Sequence, residues 1–137
     1  MKSRISRCRN GVTAMSDRII AVDFDGTLCE NAWPEIGEPV EPVLKYVRYQ
    51  QFTGAKIILW TCRVGDKLDA AVAWCSEHGL IFDAVNENLP EIVKAFGGDC
   101  RKIYADEYID DKNVLPDALV NQKKRISGRA LRNKINL

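Results

Sequence analysis

At 137 residues with 46% apolar side chains, the chain has enough material for one buried core and too little for a second sizeable domain. No stretch approaches the roughly 18 consecutive apolar residues that span a bilayer, so a soluble protein with no membrane partner is expected; the five cysteines, Cys8, Cys29, Cys62, Cys75 and Cys100, contain no Cys-x-x-Cys pair, which argues against a zinc cluster or disulfide framework and fits reduced thiols in the cytoplasm. The net charge of +1 divides into +4 over residues 1–16 and +6 over 121–137, leaving −9 on 17–120: an acidic body between basic ends that are either simply solvated or suited to a polyanion such as nucleic acid.

In chain order, residues 1–16 read as a basic, disordered extension, with Met15 a candidate natural start. Residues 17–120 read as the folded domain. Arg18 to Asp23 is a first strand, buried on both faces because its apolar residues do not alternate with polar ones. Residues 28–39, punctuated by Pro34, Gly37 and Pro39, read as a loop or small hairpin, and Pro39 to Phe52 as a helix with Val40, Val43, Leu44 and Val47 on one face, stopped by Gly54. Ala55 to Trp60 is a second strand. A helix capped by Asp66 and closed by His78-Gly79 follows, then a short strand near Ile81 to Val85 and a helix near Leu89 to Phe96. Lys102 to Ile109 is expected as a fourth strand, Leu115 to Val120 starts a closing helix, and 121–137 is a basic tail. Strands alternating with helices imply an α/β fold, a Rossmann-like parallel sheet with helices on both faces, whose ligands bind beyond the carboxyl ends of the strands.

The run Ile19-Ile20-Ala21-Val22-Asp23-Phe24-Asp25-Gly26-Thr27-Leu28 carries the clearest chemistry. Residues i and i+2 of an extended chain share a face, so Asp23 and Asp25 converge if the strand continues that far. Two neighbouring carboxylates repel, and a hard cation such as Mg²⁺ relieves the repulsion while drawing in phosphate oxygens. One carboxylate is then available as a nucleophile and the other as a proton shuttle. The alternative is an ordinary turn after a strand. Thr61, Asp110 and Asp111 also stand at predicted strand ends, where they can join the same site.

Asp23-Phe24-Asp25-Gly26-Thr27-Leu28 resembles the first motif of the haloacid dehalogenase-like (HAD) hydrolase superfamily. The resemblance implies that Asp23 attacks phosphorus and that Asp25 is general acid and base. Thr61 is similar to the second motif, whose hydroxyl binds a phosphate oxygen, and Arg63 either adds bidentate bonds to phosphate or is a surface side chain that merely pairs with a nearby acid. Lys102 matches the charge-neutralising lysine of the third motif, with Lys94 as rival. Asp110-Asp111 resembles the paired-acid fourth motif, with Asp106 offering a competing register. Mg²⁺ would be held by Asp23, the main-chain carbonyl of Asp25 and Asp110, with Asp111 either ligating through water or orienting the groups that touch the ion.

Only 33 residues separate Thr27 from Thr61 and 40 separate Thr61 from Lys102, which leaves no room for a cap domain. The resemblance, covering roughly residues 18–115, therefore implies a small capless phosphatase acting on a phosphomonoester: a small molecule such as a sugar phosphate, a nucleotide, a nucleic-acid end or a phosphoprotein. With no cap, selection falls to the flap near 28–38, to the partner in a homo-oligomer, or to a large substrate. A slow or inactive binding module on the same fold is the competing expectation. His78, the only histidine, fits a helix end, and Trp33 fits either a substrate ring or a covered core.

Overall fold

The computed structural model describes residues 18–119, together with the backbone of 5–6 and 15–16. Ile5–Ser6 (β1) pairs antiparallel with Met15–Ser16 (β2), so two short stretches of the expected disordered extension form a ladder. The remainder of that extension, the 121–137 tail and Cys8 lie outside the described residues.

Ile19–Val22 (β3) is an unbroken run of apolar residues because both of its faces are covered. The hairpin of Cys29–Ala32 (β4) and Glu35–Pro39 (β5) follows, then the helix Glu41–Phe52 (α1), Lys56–Leu59 (β6), the helix Gly65–Glu77 (α2), Ala84–Val85 (β7), the helix Pro90–Phe96 (α3) and Glu107–Ile109 (β8). The main sheet has the order β7-β6-β3-β8 and is parallel throughout, with Ile20 opposite Ile57 on one side and Glu107 on the other. The expected Rossmann-like α/β architecture is thus present.

The two-residue period of the strands sorts their side chains into two cores. Ile20, Val22, Ile57 and Leu59 pack with Leu44 and Val47 of α1 and with Ala71 and Cys75 of α2. Ile19, Ala21 and Ile58 point the other way, to Ile92 of α3 and to Ile103. Helices therefore cover both faces. None among the described residues is long and apolar enough to cross a membrane.

Three elements differ from expectation. Helix α2 begins at Gly65, with Val64 at the cap position and no side-chain cap bond, so Asp66 lies in the first turn, where its charge complements the helix dipole. The strand expected from Ile81 is only two residues long. Likewise 102–106 is not strand: the Asn88 amide oxygen accepts from Tyr104 N–H at 2.8 Å, and the Tyr108 hydroxyl accepts from Ala105 N–H at 3.1 Å and donates to Ile103 carbonyl at 2.5 Å. Side chains satisfy these backbone groups, and pairing with β3 begins only at Asp106, whose N–H donates to the Ile19 carbonyl at 2.7 Å.

Candidate active site

Strand β3 brings Asp23 to the carboxyl edge of the sheet, where its N–H still donates to Ile109 carbonyl at 2.9 Å, as the last rung before the chain turns. The turn is tight: Gly26, at φ +84°, has its N–H on Cys29 carbonyl, and the Thr27 and Leu28 N–H groups point back to Phe24 carbonyl. β8 ends beside β3 and delivers Asp110 and Asp111 to the same edge. Carboxylate oxygens of Asp23, Asp110 and Asp111 lie within 4.8 Å of one another.

Thr27 fastens this cluster. Its buried hydroxyl donates to Asp23 Oδ2 at 3.3 Å and accepts from the Asp111 N–H at 3.1 Å, tying the first acidic motif to the last. Sequence reasoning assigned Thr27 no role beyond the motif; its position four residues after Asp23 was the available signal.

Burial, reinforced by the charges of Asp110 and Asp111, pushes the Asp23 carboxyl up to about 6, against an opposing bond from Phe24 N–H. Asp111 behaves differently. Partial desolvation raises it, but the Lys112 ammonium, 3.4 Å from Asp111 Oδ2, prevails and holds it below its ordinary value. Three hard oxygen donors with a like-charge conflict form a set suited to Mg²⁺, which takes carboxylates and retains waters.

Asp25 does not join the cluster. Arg63 takes both of its oxygens, Nε to Oδ2 and Nη2 to Oδ1, each at 2.8 Å. This guanidinium is 2% exposed and also donates to Glu35 carbonyl in β5 and to Lys67 carbonyl in α2. Phe24 and Trp33 each stand with a ring centroid 5.0 Å from it. Hydrogen bonding to Asp25 raises the Arg63 pKa, keeping it charged. Of the two expectations for Arg63, the pairing with an acid is realised and its surface position is not: the side chain is buried, and its fork is occupied by protein groups.

Asp23, Asp25, Thr61, Arg63, Asp110 and Asp111 line one cavity of about 410 Å³, with Asn31, Trp33, Cys62 and Lys112 completing its wall. Thr61 is fixed by its N–H on Asn86 Oδ1 at 2.8 Å, while its hydroxyl accepts from Arg63 N–H. Asn86 adopts the left-handed φ of +55° to reach it.

Lys102 is placed elsewhere. Its ammonium lies 5.7 Å from the Tyr108 ring centroid, in a neighbouring groove that shares only Asp110 with the cavity. The loop tethered by Asn88 and Tyr108 sets that position, and Lys94 lines neither space. The lysine in the cavity wall is Lys112, which sequence reasoning missed although it follows the acidic pair directly. The competing Asp106 register is corrected: its carboxylate accepts from Ile19 N–H at 2.8 Å, at the opposite end of β3 from Asp23.

No protein-family model and no curated protein matches the chain. Its fold is similar to that of a conserved protein coded by a locus of Bacteroides thetaiotaomicron, with a TM-score of 0.64 and 35% identity over 89% of this chain and 100% of the other.

Proposed function

We propose that this chain, which belongs to one family with the conserved Bacteroides thetaiotaomicron protein, is a Mg²⁺-dependent phosphomonoesterase of the HAD type that works through an acyl phosphate on Asp23. The observation that carries the reading is the convergence of Asp23, Thr61, Asp110 and Asp111 on one cavity at the carboxyl edge of a parallel sheet. The cytoplasm is the compartment proposed, in keeping with the free thiols of Cys29, Cys62, Cys75 and Cys100.

In this reading an Asp23 carboxylate oxygen attacks phosphorus, the bond from phosphorus to the leaving oxygen breaks, and that oxygen takes a proton from Asp25. Asp25 then removes a proton from water as the water attacks the phosphoryl group, releasing inorganic phosphate and restoring Asp23. Thr61 donates its hydroxyl to a phosphoryl oxygen. Asp23, Asp110, Asp111 and the main-chain carbonyl of Asp25 would hold Mg²⁺, which supplies positive charge against the phosphoryl oxygens. Lys112, in the cavity wall, takes the neutralising part that the resemblance gave to Lys102. Asp25 must leave Arg63 before it can carry a proton, because both its oxygens are engaged.

That same engagement favours a second reading, a module that binds Mg²⁺ and phosphate and turns over slowly or not at all. Phosphate release from phenyl phosphate with Mg²⁺ separates the two. The phosphatase reading expects release by the native chain and none from Asp23→Asn, which stays folded. Equal release by both rejects Asp23 as nucleophile. Binding of Mg²⁺ and phosphate with no release establishes the module.

A further inference from the structure

Trp33 sits at the turn of the β4–β5 hairpin and is 58% exposed, yet it is not a loosely held surface ring. One face of its indole is backed by the Arg63 guanidinium, and Phe24 backs the same guanidinium from within the core. Arg63 in turn is held by four hydrogen bonds to three parts of the chain, and the two to the Glu35 and Lys67 carbonyls remain when Asp25 turns to the substrate. The series Phe24–Arg63–Trp33 thus carries a large aromatic surface from the core to the wall of the cavity that contains Asp23 and Thr61. A ring held in place before binding loses little freedom when a ligand covers it.

We propose that Trp33 is a ring-binding platform for the leaving group, so that the substrate is a small phosphomonoester carrying a planar ring, either a nucleobase or an aryl group. The proposal rests on the phosphatase reading for the phosphate end alone. Indole offers a flat apolar face and a single N–H donor, so it selects for ring shape and not for a polyhydroxylated chain. Stacking on an aromatic side chain accommodates any base, because every base presents a π face. The cavity of about 410 Å³ falls in the range of small-ligand sites, roughly 300–1,000 Å³.

The test compares phosphate release, with Mg²⁺, from phenyl phosphate, a nucleoside monophosphate and ring-free glycerol phosphate, by the native chain, Trp33→Ala and Trp33→Phe. Trp33→Ala is expected to raise KM about 5- to 100-fold more for the ring-bearing esters than for glycerol phosphate, with any change in kcat shared by all three. Trp33→Phe is expected to recover most of the loss. The ring-bearing ester that loses more identifies the source of the ring. An equal loss on all three esters, or none on either ring-bearing one, overturns the platform.

A second measurement does not depend on turnover. Nucleoside monophosphate added with Mg²⁺ to Asp23→Asn should quench tryptophan emission, and adding Trp33→Phe to that variant should remove the quench. Persistence of the quench in the double variant overturns the platform. Trp33-dependent quenching without phosphate release from any ester keeps the platform and rejects the phosphatase; release that ignores Trp33 does the reverse.

Discussion

Asp23 and Asp25 are two residues apart and meet opposite electrostatic circumstances. Asp25 is neutralised by a guanidinium across two 2.8 Å bonds, whereas Asp23 faces two further carboxylates. Asp23 is pushed from an ordinary 3.8 up to about 6, so its contribution to the stability of the metal-free protein is full below about 3.8 and is lost as pH rises through about 6. A divalent ion requires the carboxylate and restores what deprotonation removes. A fixed Mg²⁺ concentration is therefore expected to raise Tm little at about pH 5 and clearly at about pH 7, with the change centred near 6. Asp23→Asn should flatten that profile. A Mg²⁺ shift independent of pH across this window would place the ion away from Asp23.

The residue types at this site were legible in the sequence because acids and a hydroxyl directly follow apolar runs. Their pairings were not. Nothing in the spacing of Asp25 and Arg63, 38 positions apart, distinguishes a guanidinium that clamps an acid from one free to receive phosphate; that depends on where β5 and α2 place their carbonyls.

Among the elements, the turn after β3 controls the site most directly. A Cβ on Gly26 would stand 2.4 Å from Asp111 Oδ2, at a φ of +84° that side chains seldom adopt. Gly26→Ala is expected to cost about 1–2 kcal/mol in backbone strain and to displace Asp111, so that urea unfolding shifts to lower concentration and the Tm gain from Mg²⁺ shrinks. Loss of stability with a native response to Mg²⁺ would separate Asp111 from the ion. Helices α1 and α3 and strands β3 and β6 were legible from periodicity, glycine stops and prolines near helix starts. β8 was drawn too long because apolar, β-prone residues from Ile103 look like strand. In the fold the Tyr104 and Ala105 N–H groups go to Asn88 and Tyr108, and no sequence period records such side-chain partners.

Across the whole molecule, Arg63 joins the end of β3, the hairpin and α2 through bonds to Asp25, Glu35 and Lys67. Removing it leaves a carboxylate that is only 19% exposed without its counter-ion and frees two carbonyls. Arg63→Ala is expected to cost about 3–5 kcal/mol, the usual penalty for breaking a buried pair from one side. Arg63→Lys should recover only a part, since an ammonium cannot reproduce the planar fork. Urea unfolding of the two variants checks this; a loss under about 1 kcal/mol would mean that the pair behaves like a surface one.

The widths of the sheet's outer strands bear on how copies of the protein behave toward one another. β7 spans two residues and β8 three, so the unpaired rungs on either flank of the four-stranded sheet are few. Another extended segment laid alongside that sheet finds little backbone to grip, which limits there the lateral polymerisation that long, bare sheet margins invite.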